Sequence, residues 1–268
     1  MFLPDVSTIV MSDDHTPIDG KTALVTGASS GIGHATARLL ARDGADVALA
    51  ARREERLNEI ADGIEAEYDQ RALVRPTDVS DEEQVTAAID AATEVFGGLD
   101  VVVANAGINR EGTVEEIPTE RYRSLMGVNV DGVFFTARAA IPALRESEGV
   151  LIFVGSFAGQ YPRPAQPIYA ASKHWVRGFA LSLAGSLGAE NVGVTIVNPT
   201  EVDTEIGIQD DRPAHERFTD VDSATPEAVA EAIAFAARQK PPNVVAELDF
   251  YRRNKFSNWT RDADRGGK

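Results

Sequence analysis

The sequence predicts an α/β fold: a single doubly wound domain with a mostly parallel, seven-stranded sheet and helices on both faces. Short apolar stretches alternate with helical patterns along the chain, and such alternation implies crossover connections between parallel strands. The first apolar stretch ends in a glycine-rich turn, as is typical of this fold class. The length of 268 residues, 43% of them hydrophobic, fits one domain of this kind.

Each predicted element follows from its own pattern. The stretches predicted to be strands are short and rich in small and branched apolar residues, as buried parallel strands are. They are Thr22–Thr26, Asp46–Ala50, Ala72–Arg75, Asp100–Ala104, Val150–Gly155, Val192–Val197 and Val244–Leu248. The predicted helices repeat apolar residues every three or four positions. They are Gly31–Arg42, Glu54–Tyr68, Asp81–Phe96, Thr119–Glu146, Pro167–Leu187 and Pro226–Arg238.

The predicted domain spans residues 19–250. Residues 1–18 are expected to form a mobile N-terminal tail, and Met11 is an alternative start to Met1. Residues 204–224 are polar and lack a clear periodicity, so we expect a substrate loop there. Residues 251–268 are expected to form a partly ordered C-terminal tail. Its basic cluster between Arg252 and Lys255 is expected to be solvated; the alternative is that it clamps an anionic group or a neighbouring subunit.

Charge and composition exclude several classes of function. There are 42 acidic and 26 basic residues, so the net charge is −16, and such a surface repels nucleic acid and anionic membranes. The lack of cysteine excludes disulfides and a catalytic thiol, and the four dispersed histidines predict no metal site. No apolar run approaches the ~18 to 20 residues of a membrane span. We therefore expect a cytoplasmic protein.

The basic residues are distributed unevenly, with five lysines against 21 arginines. Together with the excess of acid, this composition resembles that of halophilic proteins, whose carboxylates hold water and cations in a salt-rich cytoplasm. A GC-rich genome, which also favours Arg and Ala, is the alternative explanation.

The turn Thr26–Gly33, which joins the first strand to the first helix, is predicted to bind a phosphate group. Its glycines let the backbone approach a pyrophosphate closely, and the helix N-terminus supplies free N–H groups. A glycine turn in this place can also be purely structural. The predicted contacts with a dinucleotide cofactor are Gly27, Ser29, Ser30, Gly31, Ile32 and Gly33.

Arg52 and Arg53, directly after the second strand, predict which dinucleotide binds. An acidic residue there binds the ribose 2′-hydroxyl of NAD, whereas a cation favours the 2′-phosphate of NADP. Because a helix N-terminus disfavours cations, two arginines in this position indicate a local anion. The sequence therefore predicts NADP(H). Alternatively, the arginines pair with Glu54, Glu55 or Glu59.

A serine, a tyrosine and a lysine are predicted to carry the chemistry. Ser156 follows the fifth strand, at the end where open α/β sheets bind ligands. Tyr169 and Lys173 lie four residues apart on a predicted helix, so they share a face. A nearby ammonium lowers the pKa of a phenol from ~10, which makes Tyr169 a usable proton donor and acceptor near neutral pH.

These motifs resemble the short-chain dehydrogenase/reductase family in its compact, single-domain form. The resemblance covers residues 20–205 and rests on Thr26–Gly33, Asn105-Ala106-Gly107, Asn129, Ser156 and Tyr169-x-x-x-Lys173. It implies a Rossmann-type sheet and a homotetramer or homodimer. It also implies reversible hydride transfer between NADP(H) and a secondary alcohol or ketone.

The resemblance assigns a role to each matching residue. Tyr169 is expected to be the acid and base, Ser156 to bind the substrate oxygen, and Lys173 to bind the nicotinamide ribose. Asn129 is expected to hold a relay water. The other expected cofactor contacts are Asp78 and Val79 at the adenine, Asn105 and Gly107 at the adenosine side, and Pro199, Val202 and Thr204 at the nicotinamide. On spacing alone, Asp78 could be a helix cap, and Asn105 and Asn129 could satisfy backbone groups.

The substrate is expected to be a small carbonyl compound or alcohol. A 3-oxo or 3-hydroxy acid or its acyl thioester is one candidate class, and a sugar or polyol is the alternative. Gln160, Tyr161 and Arg163 are either substrate-binding residues or an ordinary surface loop. The family's Pro-Gly pair after the sixth strand is Pro199-Thr200 here, which alters the loop that meets the nicotinamide.

Two other classes of function match parts of the sequence. A serine hydrolase needs a Gly-x-Ser-x-Gly turn and a later histidine. Here Ser156 follows Gly155 directly, and no histidine falls in a partner position. A non-catalytic NADP-binding sensor would keep the fold, but the complete set of Asn129, Ser156, Tyr169 and Lys173 argues against it.

Overall fold

The computed structural model describes residues 18–206 and 223–256. Residues 1–17, 207–222 and 257–268 lie outside the described residues. Most of the predicted N-terminal tail, most of the predicted substrate loop and the end of the C-terminal tail are therefore not described. Both candidate starts lie in the first of these segments.

Seven strands form one sheet in which every neighbouring pair is parallel. The strands are β1 (Thr22–Thr26), β2 (Asp46–Ala51), β3 (Ala72–Pro76), β4 (Val101–Ala104), β5 (Val150–Val154), β6 (Gly193–Pro199) and β7 (Glu247–Phe250). The helices are α1 (Gly31–Arg42), α2 (Glu54–Tyr68), α3 (Glu82–Phe96), α4 (Thr119–Met126), α5 (Gly132–Ser147), α6 (Pro167–Leu187) and α7 (Pro226–Ala237).

The strand order, β3-β2-β1-β4-β5-β6-β7, places the ligand-binding edge. The order reverses between β1 and β4, because the chain leaves these neighbouring strands toward opposite sides of the sheet. A crevice opens outside the carboxyl ends of the strands at such a reversal. The turns after β1, β4, β5 and β6 therefore meet at one edge.

Helices bury the sheet on both faces. Helices α1, α2 and α7 form one core cluster with it, and α3, α5 and α6 form the other. Successive residues of a central strand enter opposite clusters: Val103 and Ile152 lie in the first, Val102 and Phe153 in the second. This double burial explains why the strands are continuously apolar rather than alternating.

The predicted fold class is confirmed, and the sheet is entirely rather than mostly parallel. The largest difference lies in the single helix predicted over Thr119–Glu146. Helix α4 ends at Met126, a π-helical turn covers Gly127–Asp131, and α5 follows. One widened turn changes the apolar spacing too little for periodicity to reveal it.

The ends of the domain also differ from prediction. Ile18, assigned to the N-terminal tail, is 4% exposed and packs in the core. The last strand is Glu247–Phe250 rather than Val244–Leu248, because the pairing with β6 begins at Glu247. In the C-terminal tail, Tyr251 and Phe256 fold back against Phe157.

Two other kinds of site are not found among the described residues. Within the described ranges, no helix has both the length and the apolar character needed to cross a membrane. The same ranges contain no group of three or more His, Asp or Glu side chains that could hold a metal ion.

Candidate active site

Two adjoining grooves open at the carboxyl ends of the strands. We call one the glycine groove, because the turn after β1 lines it, and the other the tyrosine groove, because Tyr169 lines it. The residues that line both are Ile32, Asn105, Gly107, Thr204 and Ile206. A long ligand could therefore run from one groove into the other.

The structure brings nearly all predicted site residues to these grooves. The glycine groove is lined by Gly27, Ser29, Ser30, Gly31, Ile32, Arg52, Arg53, Asp78, Val79, Asn105, Gly107 and Thr204. The tyrosine groove is lined by Ser156, Tyr169, Lys173, Pro199 and Val202. Gly33 lies beneath the turn. Asn129 lies behind Gly107, since a Cβ atom added to Gly107 would lie 3.6 Å from the Asn129 Oδ1 atom.

The glycine turn has the shape of a phosphate cradle. A Cβ atom on Gly33 would lie 2.3 Å from the Gly27 carbonyl oxygen, so only glycine allows α1 to begin this close to β1. Gly31 has a φ of +53°, which disfavours a side chain. Ser30, the N-cap of α1, makes no side-chain capping bond within the described residues. The backbone N–H groups of this helix end suit a pyrophosphate.

Asn105 and Asp78 stabilise the walls of the glycine groove. The Asn105 amide donates to the Thr26 carbonyl at 2.8 Å, so this side chain ties the end of β4 to the turn after β1. The Asp78 carboxylate accepts from the backbone and hydroxyl of Ser80, at 3.0 and 2.7 Å. The helix cap considered for Asp78 is made by Asp81 instead, which accepts from two N–H groups of α3.

Arg53 has other partners than the glutamates considered for it. Its guanidinium donates to the hydroxyls of Ser29 and Ser30, at 3.1 and 2.7 Å. It also forms an ion pair with Glu205 at 2.8 Å. Among the described residues, neither Arg52 nor Arg53 pairs with a glutamate of α2. The side chain of Arg53 is therefore fixed at the glycine turn, where an anionic ligand can reach it.

Ser156, Tyr169 and Lys173 meet in the tyrosine groove, as predicted from helical spacing. Ser156 follows β5, and its hydroxyl accepts from the Ala158 N–H and acts on the pKa of the Tyr169 phenol. Lys173 is 6% exposed; its ammonium donates to the Val154 carbonyl at 2.9 Å and lies 5.9 Å from the centre of the Tyr169 ring.

The pKa values correct one step of the sequence argument. Burial raises the pKa of Tyr169 and outweighs the opposing effects of the Ser156 hydrogen bond and the Arg163 charge. Burial also lowers the pKa of Lys173 to about 8. The expected net lowering of the tyrosine pKa is not found, because burial of the phenol is the largest effect. Tyr169 is therefore a protonated phenol at neutral pH.

Asn129 lies in the π-helical turn and is 1% exposed. Its amide oxygen accepts from the Ile108 N–H at 2.8 Å, and its amide nitrogen donates to the Ile108 carbonyl and the Ser172 hydroxyl, at 2.9 and 3.1 Å. The side chain thus connects the segment after β4 to helix α6. It does satisfy backbone groups, the alternative that spacing left open.

Sequence reasoning missed a network behind Ser156. The Asn198 oxygen, on β6, accepts from the Ser156 N–H at 3.3 Å, and its nitrogen donates to Glu247 and Asp249 on β7. A Cβ on Gly155 would lie 2.1 Å from this oxygen. The only signal was the polar Asn198 at the end of an apolar strand.

Sequence reasoning also missed the charge cluster around Glu201, which lines the tyrosine groove. Glu201 forms ion pairs with Arg163, Arg252 and Lys255. Burial by itself raises the pKa of Glu201. Hydrogen bonds from Lys255 and Thr200 act in the opposite direction, and the net result is a pKa lowered to about 2. Lys255 is 7% exposed, so the basic cluster of the C-terminal tail is not solvated as a whole.

The three candidate substrate residues separate in the structure. Arg163 lines the tyrosine groove. The Gln160 amide instead donates to Glu247 and Asp249, at 2.8 and 2.9 Å, and so belongs to the network behind Ser156. Tyr161 stacks on Phe157, with ring centres 4.4 Å apart. Gln160 and Tyr161 therefore support the wall of the groove.

The family model of short chain dehydrogenases matches residues 21–214, which include every residue of this serine, tyrosine and lysine set. The chain belongs to the short-chain dehydrogenase/reductase family. It is an oxidoreductase of that family, and its sheet is the Rossmann-type sheet that the resemblance implied.

Known relatives cover most of the chain. An uncharacterised oxidoreductase of Staphylococcus aureus is 36% identical over 225 residues, which are 84% of this chain and 94% of the relative. A trans-4-hydroxycyclohexanecarboxylate dehydrogenase of Sinomonas cyclohexanicum is 38% identical over 189 residues, which are 69% of this chain and 73% of the relative. The structure of an alcohol dehydrogenase of Thermococcus sibiricus with 5-hydroxy-NADP is similar to this one, with a TM-score of 0.79 and 31% sequence identity. The match covers 86% of this chain and 95% of the Thermococcus chain.

Substitution of Gly155 by alanine tests the contact between Asn198 and Ser156. The added methyl group must displace the Asn198 oxygen, and with it Ser156, so we expect kcat to fall about 10²-fold. Gly178→Ala on α6 is the matched control, since nothing lies within 4 Å of its added Cβ. Equal kcat values in the two variants would contradict the role of this contact.

Substitution of Lys173 by methionine tests the cost of burying its ammonium. The pKa is 10.5 in the unfolded chain and about 8 in the fold, so the unfolded state binds more protons between these values. The cost is therefore complete below pH 8 and disappears above pH 10.5. We expect Lys173→Met to raise the free energy of unfolding at pH 7 by up to about 3 kcal/mol.

Urea unfolding at a series of pH values measures this effect. The gain from Lys173→Met should shrink between pH 8 and 10.5, while Lys240→Met, at an exposed position, should show no such trend. A gain that stays constant across this range would show that burial of the charge is not its cause.

Proposed function

We propose that the protein is an NADP(H)-dependent oxidoreductase that interconverts a secondary alcohol and a ketone. The observation that carries this proposal is the meeting of Ser156, Tyr169 and Lys173 in a groove continuous with the glycine turn. NADP(H), when bound, supplies or accepts the hydride at the carbonyl carbon. The glycine groove fits such a cofactor, since its turn has no room for side chains at Gly27 and Gly33.

Tyr169 is the proposed acid and base. In the direction of reduction, its phenol donates the proton that the substrate oxygen needs as hydride reaches the carbon. The raised pKa keeps the phenol protonated at neutral pH, so it is ready to donate. Ser156, which lines the same groove as this phenol, donates to the same substrate oxygen and fixes its position.

Lys173 and Asn129 support the proton transfer. The ammonium of Lys173, held by the Val154 carbonyl, is placed to bind the ribose hydroxyls and to favour the phenolate that forms after transfer. Asn129 is proposed to hold the relay water. Since its side-chain amide is bonded to Ile108 and Ser172, we assign the water contact to its main chain in the π-helical turn.

The preference for NADP(H) rests on Arg53. Its guanidinium lies on the hydroxyls of Ser29 and Ser30, beside the end of β2, and Arg52 lines the same groove. The structure of the Thermococcus enzyme holds 5-hydroxy-NADP, and this supports the proposal of a cofactor with a 2′-phosphate. We propose that Arg53 binds the 2′-phosphate.

The proposed substrate is a small hydroxy or oxo carboxylic acid. Arg163 lines the tyrosine groove, and its charge acts on the Tyr169 phenol. Its contact with Glu201 is long, at 3.4 Å, whereas Lys255 binds Glu201 closely, so Arg163 can exchange this contact for a substrate carboxylate. The Sinomonas relative is named for a substrate that carries both a hydroxyl group and a carboxylate.

A sugar or polyol is the second candidate substrate. The buried Asn109 side-chain oxygen, in the tyrosine groove, has no hydrogen-bond partner within the described ranges. Such an acceptor suits an additional substrate hydroxyl. A panel that showed turnover of polyols alone would favour this candidate over the acid.

A homotetramer or homodimer is the proposed assembly. Trp175 and Leu181 expose apolar surface on α6, and Phe235 does so on α7. Large apolar patches mark subunit contacts, and these side chains are the candidates for such a contact.

Substitution of Tyr169 by phenylalanine tests the proposed reaction. Loss of the phenol oxygen removes the proton donor, so kcat should fall by at least about 10²-fold while the Kd for NADPH changes less than twofold. Tyr122→Phe, at an exposed position on α4, is the matched control. Unchanged turnover in Tyr169→Phe would refute this role, and an absence of turnover in the wild type across the panel would favour a sensor.

Substitution of Arg163 by glutamine tests the proposed carboxylate. We expect KM for 4-hydroxycyclohexanecarboxylate to rise about 10-fold or more, with KM for its methyl ester nearly unchanged, because only the acid loses a charge-assisted bond. Arg145→Gln, which removes an exposed ion pair with Glu190, is the control. Equal effects on acid and ester would contradict recognition of a carboxylate by Arg163.

A further inference from the structure

We propose that Glu205 competes with the 2′-phosphate of NADP(H) for Arg53, and that this competition lowers the preference for NADP(H) over NAD(H). The proposal rests on the proposed binding of NADP(H) in the glycine groove. It adds Glu205, whose charge is opposite to that of Arg53, as a residue that determines cofactor specificity. The 2′-phosphate must displace this carboxylate.

Among the described residues, the Arg53 guanidinium has three hydrogen-bond partners, and one of the three is anionic. The hydroxyls of Ser29 and Ser30 accept from the Nε and Nη2 atoms and hold the side chain on the turn. The Glu205 carboxylate accepts from the Nη1 atom at 2.8 Å. The two serines thus place Arg53 for an anion, and Glu205 is the anion that the chain itself supplies.

The backbone delivers Glu205 across the groove. Thr204, the preceding residue, lies against the glycine turn, and a Cβ on Gly31 would come within 3.0 Å of its methyl group. Thr204 and Ile206 line both grooves, so the segment that they belong to crosses between them. Its next side chain, Glu205, then extends along the glycine groove to Arg53, which lies more than 150 positions earlier in the sequence.

A carboxylate and a phosphate use the same donors of a guanidinium. Both accept two N–H groups in similar geometry, and a phosphate monoester carries more charge. The hydrogen bond from Arg53 lowers the pKa of Glu205, so the carboxylate is ionised at neutral pH and repels the phosphate as long as it stays in place. Binding of NADP(H) therefore requires that Glu205 leave Arg53, whereas NAD(H), with its uncharged 2′-hydroxyl, carries no such requirement.

The expected cost to the cofactor is modest. Arg53 and Glu205 have about half of their side-chain surfaces exposed, at 45% and 50%, and such ion pairs are weak. When Glu205 occupies Arg53, the apparent Kd equals the intrinsic Kd divided by the fraction of molecules in which the arginine is not engaged. We expect the substitution Glu205→Gln to lower the Kd for NADPH about two- to fivefold.

The experiment is a titration of the full-length protein with NADPH, NADH and adenosine 2′,5′-bisphosphate. Glu205→Gln should bind NADPH and the bisphosphate more tightly than the wild type, and NADH equally. Asp203→Asn is the matched control, because it removes the same charge from an exposed position two residues away. At about 1 M salt, where screening acts within ~3 Å, the advantage of Glu205→Gln should largely disappear.

The outcomes separate this proposal from the one on which it rests. Equal affinity of the wild type for NADPH and NADH would refute the cofactor preference, whatever Glu205 does. A wild type that prefers NADPH, combined with a Glu205→Gln variant that binds NADPH no more tightly than Asp203→Asn, would overturn the competition. Weaker binding of NADH by Glu205→Gln would also overturn it, since Glu205 would then be a ligand of the ribose.

Discussion

The buried ammonium of Lys173 is the interaction on which the active site depends. Its hydrogen bond to the Val154 carbonyl joins helix α6 to the end of β5. That connection places Tyr169, one turn earlier on the helix, beside Ser156 at the end of the same strand. Burial of a charge opposes folding, and the lowered pKa of Lys173 records that cost. The proposed roles of Lys173, binding ribose hydroxyls and favouring a phenolate, need a positive charge and so give a reason for this cost.

Polar networks behind the groove walls keep the site rigid. Arg177 holds Glu247 through two hydrogen bonds, Glu247 accepts from Asn198, and Asn198 accepts from the Ser156 N–H. A second network connects Glu201 with Lys255 and Arg252 of the C-terminal tail. The edge strand and the tail thus position Ser156 and the wall of the tyrosine groove, although neither contains a residue of the serine, tyrosine and lysine set.

Local positive charge in an acidic chain defines where anions can bind. The net charge of −16 repels anions at long range, so binding needs cations fixed close to the ligand. Arg53 at the glycine turn and Arg163 in the tyrosine groove are two such cations. In the part of the chain that the structure describes, each pairs with one carboxylate of the segment after β6, Glu205 and Glu201 respectively. This segment therefore contributes one acidic side chain to each of the two grooves.

The sequence by itself determined the sheet, the glycine turn and the shared helix face of Tyr169 and Lys173, because these follow from periodicity and spacing along one stretch of chain. The tertiary structure alone decided the π-helical turn at Asn129, the partners of Arg53, and the contacts of Asn198 and Glu201. It also reversed the expected direction of the Tyr169 pKa. Those properties depend on burial and on contacts between residues such as Arg53 and Glu205, which lie far apart in the chain and leave no local pattern.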